Sequence, residues 1–331
     1  MVKVVVTGAN SGLALEVIDA LAEGKHEVLA LARRDPSSFP QQPGVTWAQT
    51  SYKDKDELVA LFRGADAVLN FIVLNNDPGN EVAYRIIDAV VEAGVPRYAP
   101  SEWAMGTKLK DVISTVPFYQ GKLDVQNYLA DLNKDKKVLE YSLFQVGFFF
   151  EYAAYPRALS KHVPPVATNW QLNEARLVSV KGYEHDKLTF TRVRDIARIV
   201  RGAVEYKGAW PVVGGIRGAD ISATEFKAAV EAKLAAGKGP GILPPGTRTL
   251  RLDLADKAVL AQGKLDVAMP KLMHPSIPDD LRDQWHAPVW SGSLLATAHG
   301  AWNASDEWNQ LLPDIKMSTV DDFIEAILEN E

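Results

Sequence analysis

The sequence predicts an α/β protein, in which a doubly wound parallel sheet is followed by a smaller, mostly helical unit. Three observations carry this reading. Strand-like and helix-like stretches alternate from Val2 to Val146. The strands are short apolar runs, as in parallel sheets covered by helices on both faces. The first strand runs directly into a glycine-rich turn that opens a helix.

The elements follow in order. Val2–Thr7 (VKVVVT) reads as the first strand, and Leu13–Ala22 has the spacing of a helix. Glu27–Ala32 is predicted as strand two and Val45–Gln49 as a short strand three, with Lys55–Arg63 as a helix. Ala67–Ile72 is predicted as strand four. A helix over Asn80–Ala93 ends at Gly94, a residue suited to the left-handed position past a helix end. Arg97–Pro100 follows as strand five, Pro117–Leu132 as a long helix and Leu139–Val146 as strand six. Beyond Phe150 the pattern weakens. Residues 153–186 are loop-rich, and Leu188–Thr191 with Arg194–Val204 reads as a strand and helix returning to the sheet. Thr224–Ala235 and Thr319–Leu328 read as amphipathic helices, separated by a Gly/Pro-rich linker over Gly237–Gly246 and further irregular segments. The expected division is 1–152 with 187–206 as one domain, and 153–186 with 207–331 as the other.

A strand that ends in a glycine turn and starts a helix leaves backbone N–H groups free beside a positive helix end, which suits an anion such as a pyrophosphate. Here the turn reads TGANSGLA over residues 7–14. Gly8 permits the tight turn, Gly12 allows close backbone approach, and Ala14 stands where many such turns carry a third glycine. This context makes the first unit a Rossmann-type dinucleotide domain, with Gly8, Asn10, Ser11, Gly12 and Leu13 around the phosphates. The end of strand two meets the adenine ribose in this fold, and an arginine there accommodates a 2′-phosphate. Strand two ends Ala32-Arg33-Arg34-Asp35, so Arg33 points to NADPH/NADP+, and Asp35 before Pro36 reads as a turn residue. Further along the expected path, Ser51 and Tyr52 flank the adenine, and Asn70 and Phe71 floor the cofactor. Ser101, Val146 and Phe148 approach it from the ends of strands five and six.

Composition narrows the function. The chain has 331 residues, a net charge of −6, 47% hydrophobic residues and no cysteine. The charge gives no electrostatic case for nucleic acid or an anionic membrane. Without cysteine there are no disulfides or thiolate metal sites, and with no basic-then-apolar leader the expectation is a cytoplasmic protein. No apolar run is long enough to span a bilayer. The six histidines are scattered without metal-ligand spacing, so no metal is expected. A small-molecule substrate is the expected partner, and the sequence leaves monomer and homodimer open.

TGANSGLA at the start, RYAPSEW at 97–103, FYQGK at 118–122, QVGFFFEY at 145–152 and TRVRDIARIV at 191–200 occur in that order. Together they resemble the NmrA-like and isoflavone-reductase-like group of atypical short-chain dehydrogenases/reductases. The resemblance is good over about the first 205 residues, with DISATEF at 220–226 still fitting. It implies an NADPH-binding domain with a smaller substrate domain over its edge. It also implies a helix lysine beside the nicotinamide that takes part in proton transfer, and Lys122 matches that position. Taken alone, a helix lysine is ordinarily solvated; lowered in pKa by burial, it can exchange a proton near neutrality. Ordinary short-chain dehydrogenases place a tyrosine four residues before the lysine, and here that residue is Phe118. Tyr119, Ser101 and Tyr152 are the auxiliary proton donors to consider, with His162 in the loop after strand six.

Apolar pockets form at domain junctions, which makes Phe148, Phe149 and Tyr152 the expected substrate contacts. Trp170, His274, Trp285, His286, Trp290 and Trp302 suit an aromatic cleft, although each taken singly reads as core. The leading function is an NADPH-dependent reductase of a small aromatic or polyketide-like molecule. The resemblance also admits a non-catalytic NADP(H)-binding regulator, and the fold admits a non-redox isomerase or dehydratase.

Overall fold

A computed structural model describes residues 1–329. Six parallel strands form the central sheet: β1 (Lys3–Thr7), β2 (Glu27–Ala32), β3 (Val45–Gln49), β4 (Ala67–Asn70), β5 (Arg97–Ala99) and β6 (Glu140–Tyr141). Their order is β3-β2-β1-β4-β5-β6. The chain reverses direction across the sheet between β1 and β4, where Thr7 pairs with Leu31 on one side and Asn70 on the other. That reversal opens a crevice at the carboxyl ends of the strands. Val4, Val5 and Val6 are fully buried, as expected for a strand covered on both faces. Helices Gly12–Glu23 and Val193–Glu205 cover one face, and Lys55–Phe62, Glu81–Glu92 and Gln120–Leu132 cover the other.

The expected sixth strand divides in two. β6 pairs with β5, whereas β7 (Leu143–Gln145) pairs with a later segment, Val213–Gly215. After β7 the chain bends at Gly147, whose φ is +68° and where a Cβ would lie 2.3 Å from the Thr189 carbonyl oxygen. The bend releases β8 (Phe148–Phe149) into a different sheet.

The remaining strands are β9 (Trp170–Gln171), β10 (Arg176–Val180), β11 (Leu188–Thr191), β12 (Val213–Gly215), β13 (Ala219–Ile221) and β14 (Arg251–Ala255). They form two small sheets, β14-β10-β9 and β13-β11-β8, together with the β12-β7 pair. Leu188–Thr191 therefore does not rejoin the central sheet as the sequence pattern predicts. Its partners are β8 and β13, and only the following helix, Val193–Glu205, returns to pack on Gly12–Glu23. Val213–Gly215 pairs with β7 beside the main sheet.

The second lobe has its own core, with Phe150, Trp170, Phe190, Phe226 and Phe323 at its centre. Helices Ala223–Ala235 and Val320–Leu328 pack there, each started by a capping box, Ser222 with Glu225 and Thr319 with Asp322. Such N-caps are each worth about 1 kcal/mol. A third helix, Arg282–Ala298, runs across this lobe despite Pro288 within it.

The two lobes exchange segments more than the sequence division implies. Ala104, Met105, Leu109, Val112 and Val116, before the expected boundary, pack in the second core. Trp210 and Trp308, well after it, pack in the first. Trp308 stacks on Phe144 with ring centroids 5.5 Å apart and donates its indole N–H to Ser142 Oγ at 3.1 Å. No helix among the described residues is long and apolar enough to cross a membrane.

Candidate active site

The cavity at the switch point has a volume of about 640 Å³ and runs from Arg33 and Arg34, past the glycine turn, to Lys122 and the aromatic wall of the second lobe. At one end stands the turn. Gly8 has φ +65°, and a Cβ there would lie 2.8 Å from Ile72 N, so the tight turn requires glycine. The Gly8 N–H is taken by Tyr52 Oη at 3.0 Å, and that hydroxyl donates onward to Leu31 O at 2.6 Å. Tyr52 is thus a buried strut beneath the turn, and burial raises its phenol to about 12. The N–H groups of Asn10, Gly12 and Leu13 find no partner among the described residues, and the Ser11 side chain makes no capping bond. Unpaired donors at a helix start, facing a cavity, fit an anionic phosphate group.

Gly12 has a second role that its place in the motif does not reveal. A Cβ there would lie 2.8 Å from the His162 carbonyl oxygen and 3.0 Å from Val163 Cα. The loop around 160–164 is strapped across this helix: His162 N donates to Glu16 at 2.8 Å, and Lys161 and His162 both reach Asp19. His162 is therefore a latch on the helix and does not line the cavity.

Arg33 and Arg34 are exposed at the end of β2 and line the far end of the cavity. The Arg33 guanidinium sits 5.9 Å from the centre of the Tyr52 ring. Asp35 points away into its turn, where its carboxylate accepts from Ser37 N and Oγ. Among the described residues no carboxylate lines this end of the cavity, so the two cationic side chains fit a ribose phosphate.

Lys122 lies in the helix Gln120–Leu132, directly after a 3₁₀ turn over Pro117–Tyr119. Its Nζ donates to Ser101 O at 2.7 Å and to Glu102 O at 2.5 Å. Both carbonyls follow β5, in the APSEW segment. An ammonium has three protons, so one donor direction is left for the cavity that the lysine lines. Burial lowers the Lys122 pKa, against an opposing pull from Glu102. The Glu102 carboxyl is almost fully buried and is held by Gln126 Nε2 at 2.9 Å. Burial pushes it up to about 7, against the Lys122 charge. The Tyr119 ring, three residues before Lys122, has its centre 5.5 Å from Nζ, because the 3₁₀ turn brings positions 119 and 122 onto one side.

The cavity brings together Gly8, Asn10, Ser11, Gly12, Leu13, Arg33, Phe71, Ser101, Lys122, Phe148, Phe149 and Tyr152. Two expected residues lie off it. The Asn70 amide is held inside the protein: Oδ1 accepts from Thr7 Oγ1 and Ile72 N, and Nδ2 donates to Tyr98 Oη. Asn70 clamps β4 to its neighbours and does not floor the crevice. Val146 is fully buried, and its carbonyl accepts from Thr191 Oγ1. The bend at Gly147 turns it inward, so Val146 serves packing.

Of the second-lobe aromatics, His274, Trp285, Trp290 and Trp302 line the cavity. Trp170 lies in the core, and His286 binds Pro270 O at 3.0 Å. Sequence reasoning missed Trp103. This residue adopts φ +40°, lines the cavity and stacks on Phe71 with centroids 4.4 Å apart, its indole N–H held by Asn70 O at 2.8 Å. A tryptophan in the left-handed region is an outlier of the kind that clusters at functional sites. The one available signal was its place in RYAPSEW.

Comparison with known proteins places this geometry. Residues 2–224 match the model of the NmrA-like family. Oxidoreductase aprR of Aspergillus flavus is 32% identical over 155 residues, which is 46% of this chain and 50% of that protein, so the match spans about half the length of this curated relative. Among solved structures, the Escherichia coli NADPH-dependent quinone oxidoreductase QOR2 complexed with NADPH is similar with TM-score 0.64 at 16% identity, over 98% of this chain and all of that one. A structure from the pinoresinol–lariciresinol and phenylcoumaran benzylic ether reductase set has TM-score 0.67 at 15% identity, over 98% and 99% of the two chains. Leucoanthocyanidin reductase of Vitis vinifera, in a ternary complex, has TM-score 0.64 at 13% identity, over 99% and 100%. At these identities the structures speak for a shared fold. The family match covers the glycine turn, the APSEW segment and Lys122, and with it the chain belongs to the NmrA-like family.

Proposed function

We propose that the protein is an NADPH-dependent reductase of a small, largely apolar aromatic or polyketide-like molecule, with Lys122 assisting proton transfer. The observation that carries this reading is the lysine itself. It is half-buried, anchored on two backbone carbonyls and faces the same cavity as the unpaired turn N–H groups. A protein that only bound the dinucleotide needs the turn and the arginines but not the lysine, so the lysine favours an enzyme.

When bound, NADPH supplies the hydride, and the protein supplies binding, orientation and charge. The N–H groups of Asn10, Gly12 and Leu13 with Ser11 would hold the phosphates, and Arg33 would hold the 2′-phosphate. Ser101 and Glu102 fix the Lys122 ammonium by their carbonyls. Burial lowers the cost of releasing its proton, so that it offsets negative charge forming on the substrate. Phe148, Phe149 and Tyr152 present ring faces and edges at the substrate end, and Trp285, Trp290 and Trp302 close the apolar wall. Names of the similar proteins, an oxidoreductase and an NADPH-dependent quinone oxidoreductase, support the same class.

The test is titration of the purified chain with NADPH and NADH by tryptophan fluorescence, since Trp103 and Trp302 line the cavity. The same samples are then followed for loss of nicotinamide absorbance with quinones, enones and phenolic ethers, beside Lys122→Met. Tight NADPH binding with Lys122-dependent consumption is expected. Tight binding with no consumption across the panel would favour a regulator of dinucleotide-sensing type. Consumption of substrate without stoichiometric NADPH loss would favour an isomerase or dehydratase.

A further inference from the structure

Lys122 does not account for all the polar chemistry on the cavity wall. Tyr152, from the short helix Phe150–Ala153, meets His274 and Ser276, from a loop of the second lobe, and all three line the cavity. Tyr152 Oη and His274 Nε2 are 3.1 Å apart. On the far side of the imidazole, Nδ1 receives the Ser276 backbone N–H at 3.2 Å and lies 2.6 Å from its hydroxyl. A backbone N–H can only donate, so Nδ1 is an acceptor and the neutral ring carries its proton on Nε2. Burial and the Lys122 charge lower the ring's pKa to about 4, which keeps it neutral in the physiological range. Its Nε2–H then occupies a lone pair of the Tyr152 phenol. The phenol's own proton has no acceptor among the described residues. The ring is fixed from two sides, by His274 edge-on at 88° and by Phe149 at 5.2 Å. Tyr119 and Ser101, two other hydroxyls that line the cavity, have no comparable orienting donor among the described residues.

We propose that Tyr152, oriented by His274, is the proton donor to the oxygen of a carbonyl or quinone substrate. The proposal rests on the reductase reading above. In the step, the substrate carbon system accepts the hydride that the nicotinamide supplies, and the carbonyl π pair moves onto oxygen. The Oη–H bond of Tyr152 breaks as the new O–H bond forms. The resulting tyrosinate is held by the His274 Nε2–H until it recovers a proton from solvent in the open cavity. His274 touches only the tyrosine and is a positioning residue.

The test uses the full purified chain with NADPH and 1,4-naphthoquinone. Tyr152→Phe is expected to bind NADPH with unchanged fluorescence and to lose about a hundredfold in kcat. Gln places an amide donor where Nε2–H stood, so His274→Gln should keep most of the activity that His274→Ala loses, with the change in kcat and not in KM. Independently of turnover, ¹⁵N NMR of the histidine rings, with His274 assigned by its absence in His274→Gln, should show the proton on Nε2. Wild-type turnover with an equally active Tyr152→Phe, or a ring protonated on Nδ1, overturns this proposal alone. A wild-type chain that binds NADPH but consumes none with any member of the panel overturns the reductase reading and this step with it.

Discussion

Glu102→Gln is the most informative single change, because it tests the electrostatics beneath Lys122 without needing a substrate. The Glu102 carboxyl is 2% exposed, and burial holds its pKa at about 7 against an ordinary 4.5. Between those values the folded chain keeps a proton that the unfolded chain has lost, so acidification through this window stabilises the fold and rising pH destabilises it. At a little over 1.3 kcal/mol per pKa unit, the folded state above pH 7 carries a penalty of about 3 kcal/mol for ionising this group. His274 works in the opposite sense. Its folded pKa of about 4 lies below its ordinary 6.5, so between these values the unfolded chain takes up the proton and acidification costs stability. Part of its ring faces the cavity, which makes its effect the smaller. Glutamine keeps the shape and the bond with Gln126, and removes only the titration. Urea unfolding from pH 5 to 8 should therefore find Glu102→Gln within about 1 kcal/mol of wild type at the acid end and more stable by about 3 kcal/mol at the alkaline end. The variant should also lose stability on acidification more steeply than wild type, because the His274 loss is no longer offset. A difference between the two proteins that stays constant over this range would show that Glu102 is ionised throughout, and the account of the Lys122 site would be wrong.

Three further outcomes follow from the geometry. Gly12→Ala puts a Cβ 2.8 Å from the His162 carbonyl oxygen, so the 160–164 loop must lift; we expect a loss of about 1–3 kcal/mol in urea unfolding, and unchanged stability would remove the strap from the account. Arg33→Ala should weaken NADPH binding by about ten- to a hundredfold, the worth of charge-assisted bonds to a phosphate, and leave NADH affinity alone; equal losses for both nucleotides in the fluorescence titration would sink the 2′-phosphate assignment. Gly147→Ala combines φ +68° with a Cβ 2.3 Å from Thr189 O, and should cost at least about 2 kcal/mol; a melting temperature equal to wild type would mean that β7 and β8 can separate without this bend.

What was legible in the sequence was what local rules govern. The apolar runs of β1 to β5 and the glycine turn carry their geometry in adjacent residues, and Asp35 before Pro36 is a turn by its own side chain. Arg33 stands at a fixed offset from the end of β2, whereas Lys122 is singled out through the FYQGK resemblance; the fold brings both to the cavity. The failures share a different cause. Asn70 ends a strand that faces the crevice, but three partners from β1, β5 and the following turn hold its amide, and nothing in its neighbours reveals them. Val146 and Leu188–Thr191 were misplaced by one event, the bend at Gly147, which requires knowing that Thr189 will lie against it. Trp302 and Trp170 have the same composition-level signature; Trp302 stacks on Phe148 at 3.8 Å at the cavity edge, and Trp170 packs between Phe190 and Phe226 in the core. A pocket wall is core that stops one side chain short, so residue type cannot separate the two. The glycine-turn end of the cavity is therefore written in the chain by short-range rules and the aromatic end by long-range packing. On the proposed function, exchanging Phe148–Tyr152 and the 272–290 segment between relatives should move substrate preference and leave nucleotide preference, which we propose Arg33 sets, where it was.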